Sequence, residues 1–372
     1  MRLPAWSELH EEQRSVLEQP LDQGLFVVGP PGSGKTSLAL RRAQMCARSR
    51  RSCCVVTFNR MLRRLLHLLD RQSRRDGSDT RPEVIVRTMD SFVGEDWRKR
   101  FPDDDLPDYP SRLHDWDARL ERLAGSLTDE SGWSHIVVDE GQDLPVWFFR
   151  YASIICGAVT VFADEEQAIR SDVSGLKEIK QAAGLPDPRI LTENHRNTPE
   201  IARVAEHFHD GRLPAARVVR GSGGEVPRLL RLPDTRAVAA WVSRWFANRG
   251  GTVGVIAEQN VAVEALRNAI GERLPSVTVK SYTHSSANEG EIDVTKPGVT
   301  VLNVNSAKGQ EFDAVFVTEL ERFLPCESAQ ERRRLYMMCT RGRSHLFLVQ
   351  HQSHPLREVD HALPAPEMLR LP

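Results

Sequence analysis

The sequence predicts an α/β chain built as two parallel-sheet domains in tandem, on three observations. Short apolar, β-branched runs alternate with helical patterns from end to end, and strands alternating with helices make parallel sheets covered on both faces. A strand-like Gly24-Leu-Phe-Val-Val28 runs straight into Gly29-Pro-Pro-Gly-Ser-Gly-Lys35-Thr36, and a helix-forming segment from Ser37 to Met45 follows. That order of strand, glycine-rich loop and helix is the context a phosphate-binding loop requires. The third observation is length: 372 residues suffice for two domains of ordinary size, each with its own core.

The strand-like runs of the first half are 25–28, 54–58, 84–86, 136–138 and 159–162, and those of the second half are 253–256, 277–279, 299–304, 314–317 and 346–349. The helix after Phe58 has the clearest pattern. Leu62, Leu65, Leu66 and Leu69 fall at helical spacing on one face, while Arg60, Arg63, Arg64 and Arg71 lie off that stripe. Two stretches break the alternation. Residues 101–110 are proline-rich and acidic and read as the centre of a surface insertion over about 94–130, within the first domain. Residues 211–227, with Gly-Ser-Gly-Gly at 221–224, read as a flexible connection. The expected domains are 1–189 and 190–355, with a tail at 356–372. No internal repeat is visible by identity, although two similar α/β halves are compatible with structural duplication.

Hydrophobic residues make up 40% and charged residues 27%, the composition of a soluble globular protein, and the formal net charge is −1. Charge is unevenly spread. Eleven arginines and one acid, Asp70, lie between Arg41 and Arg75, whereas acids dominate between Glu95 and Glu130. A basic stretch beside a phosphate loop suits a nucleic-acid backbone, and equally a solvated helix face. The six cysteines (46, 53, 54, 156, 326 and 339) form no CxxC pair and have no matching histidine spacing, which argues against zinc and disulfides and for a reducing compartment. No apolar run approaches a membrane span, and the first residues lack the apolar core of a signal peptide, so a cytoplasmic location is expected.

The residue chemistry points to nucleotide hydrolysis. Gly29, Pro30, Gly32, Ser33 and Gly34 shape a loop whose backbone N–H groups converge on phosphates. Lys35 adds a cation at the β/γ position, the Thr36 hydroxyl suits Mg²⁺, and Ser37 continues the loop into the helix. The hydrophobic run His135-Ile-Val-Val ends in Asp139 and Glu140. Asp139 suits the metal, and Glu140 suits a base that orients water. A phosphate loop alone implies that a nucleotide binds; the pair implies that it is hydrolysed.

These two anchors and the motifs after them resemble superfamily 1 helicases of the UvrD/Rep type, through eight ordered segments from about Leu9 to about Val349. Gln13 in Leu9-His-Glu-Glu-Gln13 is similar to the family's adenine-reading glutamine, an amide that can pair with N6 and N7. Thr57-Phe58-Asn59 and Asp90-Ser91-Phe92 resemble the single-strand contact motifs of the first domain. There hydroxyls and amides bond phosphates, and Phe58 offers a face for base stacking. Gln167 is similar to the glutamine that senses the γ-phosphate. Asn194-His195-Arg196 resembles the motif whose arginine reaches that phosphate, with His195 where an aromatic stacks on adenine. Asn305-Ser306-Ala-Lys308-Gly309-Gln-Glu311 resembles the motif in which Glu311 would meet the ribose, and Arg341 the second arginine finger. The resemblance implies two RecA-like domains with the ATP site in the cleft between them, Mg²⁺ as cofactor and single-stranded DNA as track.

Several positions depart from the family pattern. The gaps from Phe92 to Asp139 and from Arg196 to Lys308 are too short for the family's large accessory domains. Asp90 and Asn305 replace histidines, and Arg170 stands where stacking aromatics usually follow Gln167-Ala-Ile169. A compact 3′-to-5′ DNA translocase or helicase is the leading expectation. Two alternatives stay open: a regulatory ATPase subunit working with a protein partner such as a nuclease, and an RNA motor.

Overall fold

The computed structural model describes residues 2–74, 80–104, 116–126, 132–164, 175–209, 215–221, 223–283, 293–353 and 362–372. The chain folds into two compact units: Arg2–Gly29 with Gly34–Leu191, and Thr192–Pro372, which also takes in Pro30–Ser33. Each carries a six-stranded sheet in which every paired strand is parallel. The expected tandem of parallel-sheet α/β domains is therefore present. Among the described residues no helix is long and apolar enough to cross a membrane.

The N-terminal unit runs α1 (Glu11–Leu17), β1 (Leu25–Val28), α2 (Lys35–Arg48), β2 (Cys53–Thr57), α3 (Arg60–Ser73), β3 (Ile85–Thr88), α4 (Met89–Arg100), α5 (Trp116–Gly125), β4 (His135–Val138), α6 (Val146–Ile155), β5 (Val159–Ala163), α7 (Leu176–Ala182) and β6 (Arg189–Ile190). Its strand order is β3-β2-β4-β5-β1-β6. Every residue of β1, β2, β4 and β5 is buried, as continuous apolar runs covered on both faces should be. The leucine stripe of α3 is inside, and the Asn59 side chain caps that helix by accepting from the N–H groups of Met61 and Leu62 at 2.8 and 3.2 Å.

The supposed surface insertion needs correction. Trp97 and Phe101 at the end of α4 and Trp116, Leu120 and Leu123 of α5 are core residues, and the Trp116 and Trp147 rings stack at 3.9 Å. The acidic residues between them hide this burial in the sequence, because the aromatics that bury the flanking helices are few and widely spaced. Residues 105–115 lie outside the described residues.

The C-terminal unit runs β7 (Glu193–Asn194), α8 (Pro199–His207), β8 (Arg217–Val218), β9 (Arg228–Leu232), α9 (Thr235–Arg249), β10 (Thr252–Ala257), α10 (Asn260–Arg273), β11 (Lys280–Tyr282), β12 (Gly298–Asn303), α11 (Val304–Ala307), β13 (Phe312–Val317), α12 (Ala329–Cys339) and β14 (Gly342–His351). Its strand order is β11-β12-β10-β13-β14-β9. Three expectations shift here. β9 went unseen because arginines flank its leucines, a pattern an edge strand tolerates. A turn closed by the Val277 N–H on the Leu274 carbonyl moves the predicted 277–279 strand to Lys280–Tyr282. In the predicted flexible connection, Arg217–Val218 pairs with β7. Of the segment read as a tail, the described residues 362–372 pack against the unit: Leu369 is fully buried, and the Leu229 N–H donates to the Arg370 carbonyl at 2.9 Å.

The two halves share a local design. β4 and β13 are each followed by a left-handed glutamate, Glu140 (φ 57°) and Glu319 (φ 56°), which opens a 3₁₀ turn. Glu319 accepts from the Glu258 and Gln259 N–H groups at the start of α10 at 2.8 and 3.1 Å, where its carboxylate occupies a helix N-terminus.

Candidate nucleotide site

In the N-terminal unit the strand ends converge, as ligand sites in parallel α/β sheets do. Gly34 caps α2 with φ 89°, a left-handed conformation that favours glycine, and the Gln13 amide nitrogen comes within 2.6 Å of where a Cβ would sit. Gln13 accepts the His10 N–H at 3.2 Å through its carbonyl oxygen. Lys35 opens α2, is 7% exposed, and directs Nζ to the Gly29 carbonyl at 2.6 Å and to Asp164 at 3.3 Å. Thr36 and Ser37, half-buried, follow on the first turn of the helix.

Asp139 and Glu140 leave β4 together. Asp139 is fully buried and takes a hydrogen bond from the Thr36 hydroxyl. Burial, reinforced by the charge of Glu140, pushes its carboxyl up to about 7 against the pull of that bond and of Lys35. Its second oxygen, Oδ2, has no hydrogen-bond partner among the described residues. An orphaned buried carboxylate oxygen with a hydroxyl alongside is a donor set that fits a hard divalent cation such as Mg²⁺. Glu140, 6% exposed, is held by the Gln142 amide at 2.5 Å. Gln167, the expected γ-phosphate sensor, lies outside the described residues.

In the C-terminal unit a second set assembles. Gly32 (φ 82°) lies against the Asn194 side chain so closely that a Cβ would overlap it, and its carbonyl accepts the His195 N–H at 2.9 Å. In the same turn the Ser33 hydroxyl bonds the Pro30 carbonyl at 2.8 Å. The His195 imidazole faces Glu193 at 3.4 Å. Arg196 pairs with Glu311 at 2.8 Å and reaches the Thr340 carbonyl at 3.4 Å. Burial would raise the Glu311 carboxyl, but Arg196 and Arg343 beside it outweigh that and hold it below the ordinary range. Gly309 turns the chain into Glu311 with φ 74°. Arg341, 1% exposed, donates to the Met337 carbonyl at 2.9 Å and approaches the Gln310 carbonyl and the Thr340 hydroxyl. Arg196, Glu311 and Arg341 thus meet around Thr340.

The expected nucleic-acid residues differ in exposure within each unit. Thr57, Phe92 and Ser306 are buried, and Phe92 packs on Trp133 and Phe148. The Asn59 carbonyl oxygen is occupied by its helix cap, and the Ser91 hydroxyl bonds Glu95 at 3.0 Å. Phe58 is half-buried and Asn305 exposed. Sequence reasoning passed over Asp164 and Gln142, although their positions at the ends of adjacent strands were a usable signal.

Residues 298–349, spanning β12 to most of β14, match the family model of the UvrD-like helicase C-terminal domain. The matched segment resembles this family and carries the Lys308–Glu311 and Arg341 motifs. Among solved structures the chain is similar to the C-terminal domain of a possible DNA helicase from Lactobacillus plantarum WCFS1, with 26% identity over 48% of this chain and 98% of that one and a TM-score of 0.35. It is also similar to the PRRSV helicase, with 13% identity over 95% of this chain and 57% of that one and a TM-score of 0.42. No curated protein sequence matches the chain.

Proposed function

We propose that the chain is a compact superfamily 1 motor of the UvrD/Rep type that hydrolyses ATP to move 3′-to-5′ along single-stranded DNA. The observation that carries this reading is the convergence of Lys35, Thr36, Asp139 and Glu140 at the ends of β1 and β4, with Asp139 Oδ2 buried and unsatisfied. The UvrD-like match over 298–349 supports the helicase class. When bound, Mg²⁺ would neutralise charge on the phosphates. Lys35 places a fixed cation against them, Thr36 and Asp139 would hold the metal, and Glu140 orients the attacking water. Arg196 and Arg341 supply charge for the transition state once the nucleotide draws them from Glu311 and the Met337 carbonyl.

The burial of Thr57, Phe92 and Ser306 favours one second reading, a regulatory ATPase subunit that controls a partner such as a nuclease. ATP turnover with and without single-stranded DNA or RNA, beside Glu140→Gln, separates the two. Strong stimulation by DNA that disappears in the variant supports the motor. Stimulation by RNA alone moves the track to RNA. Turnover indifferent to either supports the regulatory subunit, and unchanged turnover in Glu140→Gln removes Glu140 as the base.

A further inference from the structure

Gln142 is 1% exposed, and both ends of its amide are engaged. Nε2 donates to Glu140 Oε2 at 2.5 Å, and Oε1 accepts the Asp164 backbone N–H at 2.9 Å. Asp164, just past β5, extends its carboxylate to Lys35 Nζ at 3.3 Å. One amide therefore ties the β4 end, which carries the acid pair, to the β5 end, which touches the phosphate-loop lysine. The turn between has little slack. Glu140 sits in the left-handed region, where a residue with a Cβ is strained, and a Cβ on Gly141 would lie 2.6 Å from Val161 Cγ1.

We propose that Gln142 is a positioning residue for hydrolysis, which aims the Glu140 carboxylate at the water and links that aim to the state of the Lys35–Asp164 pair. A glutamate without this amide keeps its charge but samples other rotamers, and misplacing a base by about 1 Å costs on the order of 100-fold in rate. The role rests on the ATP-hydrolysis reading above and adds to it a coupling route from phosphate contact to base.

The experiment compares kcat and KM for ATP in the full chain, Gln142→Met, Gln142→Asn, Glu140→Gln and the double variant Gln142→Met/Glu140→Gln. Methionine keeps the volume and removes both hydrogen bonds; asparagine keeps a neutral amide but is one methylene too short to span Glu140 and the Asp164 N–H together. Both single Gln142 variants should lose about 10–100-fold in kcat with KM nearly unchanged, the loss expected for one hydrogen bond to a charged group. The double variant should be no slower than Glu140→Gln, because both substitutions act through one carboxylate. Wild-type kcat in either Gln142 variant, or losses that multiply in the double variant, would overturn the role. If Gln142→Met fails to fold, Gln142→Asn decides it alone. A wild-type chain without turnover refutes the hydrolysis reading and the role together; turnover lost in Glu140→Gln but untouched in the Gln142 variants refutes the role alone.

Discussion

Asp70 is the single acid among eleven arginines between Arg41 and Arg75, and it is wholly buried. Its Oδ1 receives the Arg81 guanidinium and the Gln44 amide, the latter at 3.0 Å, and its Oδ2 receives the Val84 N–H at 3.1 Å. Arg81 is itself 6% exposed. Asp70→Ala would leave a buried guanidinium without its counter-charge and a buried N–H without its acceptor. Breaking a buried pair from one side costs about 3–5 kcal/mol. In a unit this size each kcal/mol lowers Tm by about 2–4 °C, so the shift should be roughly 6–20 °C. Scanning calorimetry of the full chain measures it. Asp70→Asn, which keeps the shape and one oxygen, should fall between wild type and alanine. Pairing Asp70→Ala with Arg81→Leu should cost less than the sum of the two single changes, because the second removes the stranded charge. A Tm shift under about 2 °C in Asp70→Ala would refute the reasoning, since no buried ion pair of this kind could then be contributing.

Two more predictions address the binding sets. Phe58→Ala should weaken single-strand binding by about 1–3 kcal/mol if the ring stacks on a base; affinity unchanged in a titration would leave Phe58 with its core contacts alone. Glu311 is held low by Arg196 and Arg343 against the effect of burial, so its folded value lies below its unfolded one. The stability it contributes is therefore fully present above the ordinary glutamate value of about 4.3 and is lost as pH falls through the folded value. Glu311→Gln should flatten the acid limb of Tm against pH below about 4.5. Parallel limbs in the two proteins would show that the ion pair does not stabilise the fold.

Much of the fold and part of the site could be read from consecutive residues. The apolar runs of β1, β2, β4 and β5, the leucine stripe of α3, the phosphate loop, and Asp139 with Glu140 each declare themselves within a dozen positions, because strand period, helix period and loop geometry are local properties. β9, the core packing of α4 and α5, and the seating of Leu369 did not, because each depends on a surface supplied from elsewhere. The same division runs through the candidate site. Its residue types were legible, but its wiring was not: Gln142 meets Asp164 across 22 residues, Lys35 meets Asp164 across 129, and Arg196 meets Glu311 across 115. Nor could sequence tell that Thr57 and Phe92 face inward while Phe58 between them in the chain stays half-exposed. The sequence by itself determined which chemical groups are available and where the chain turns. Only the tertiary structure decided which of them are buried, paired or left unsatisfied, because the cost of burying a charge or an amide depends on the neighbours that packing brings to it.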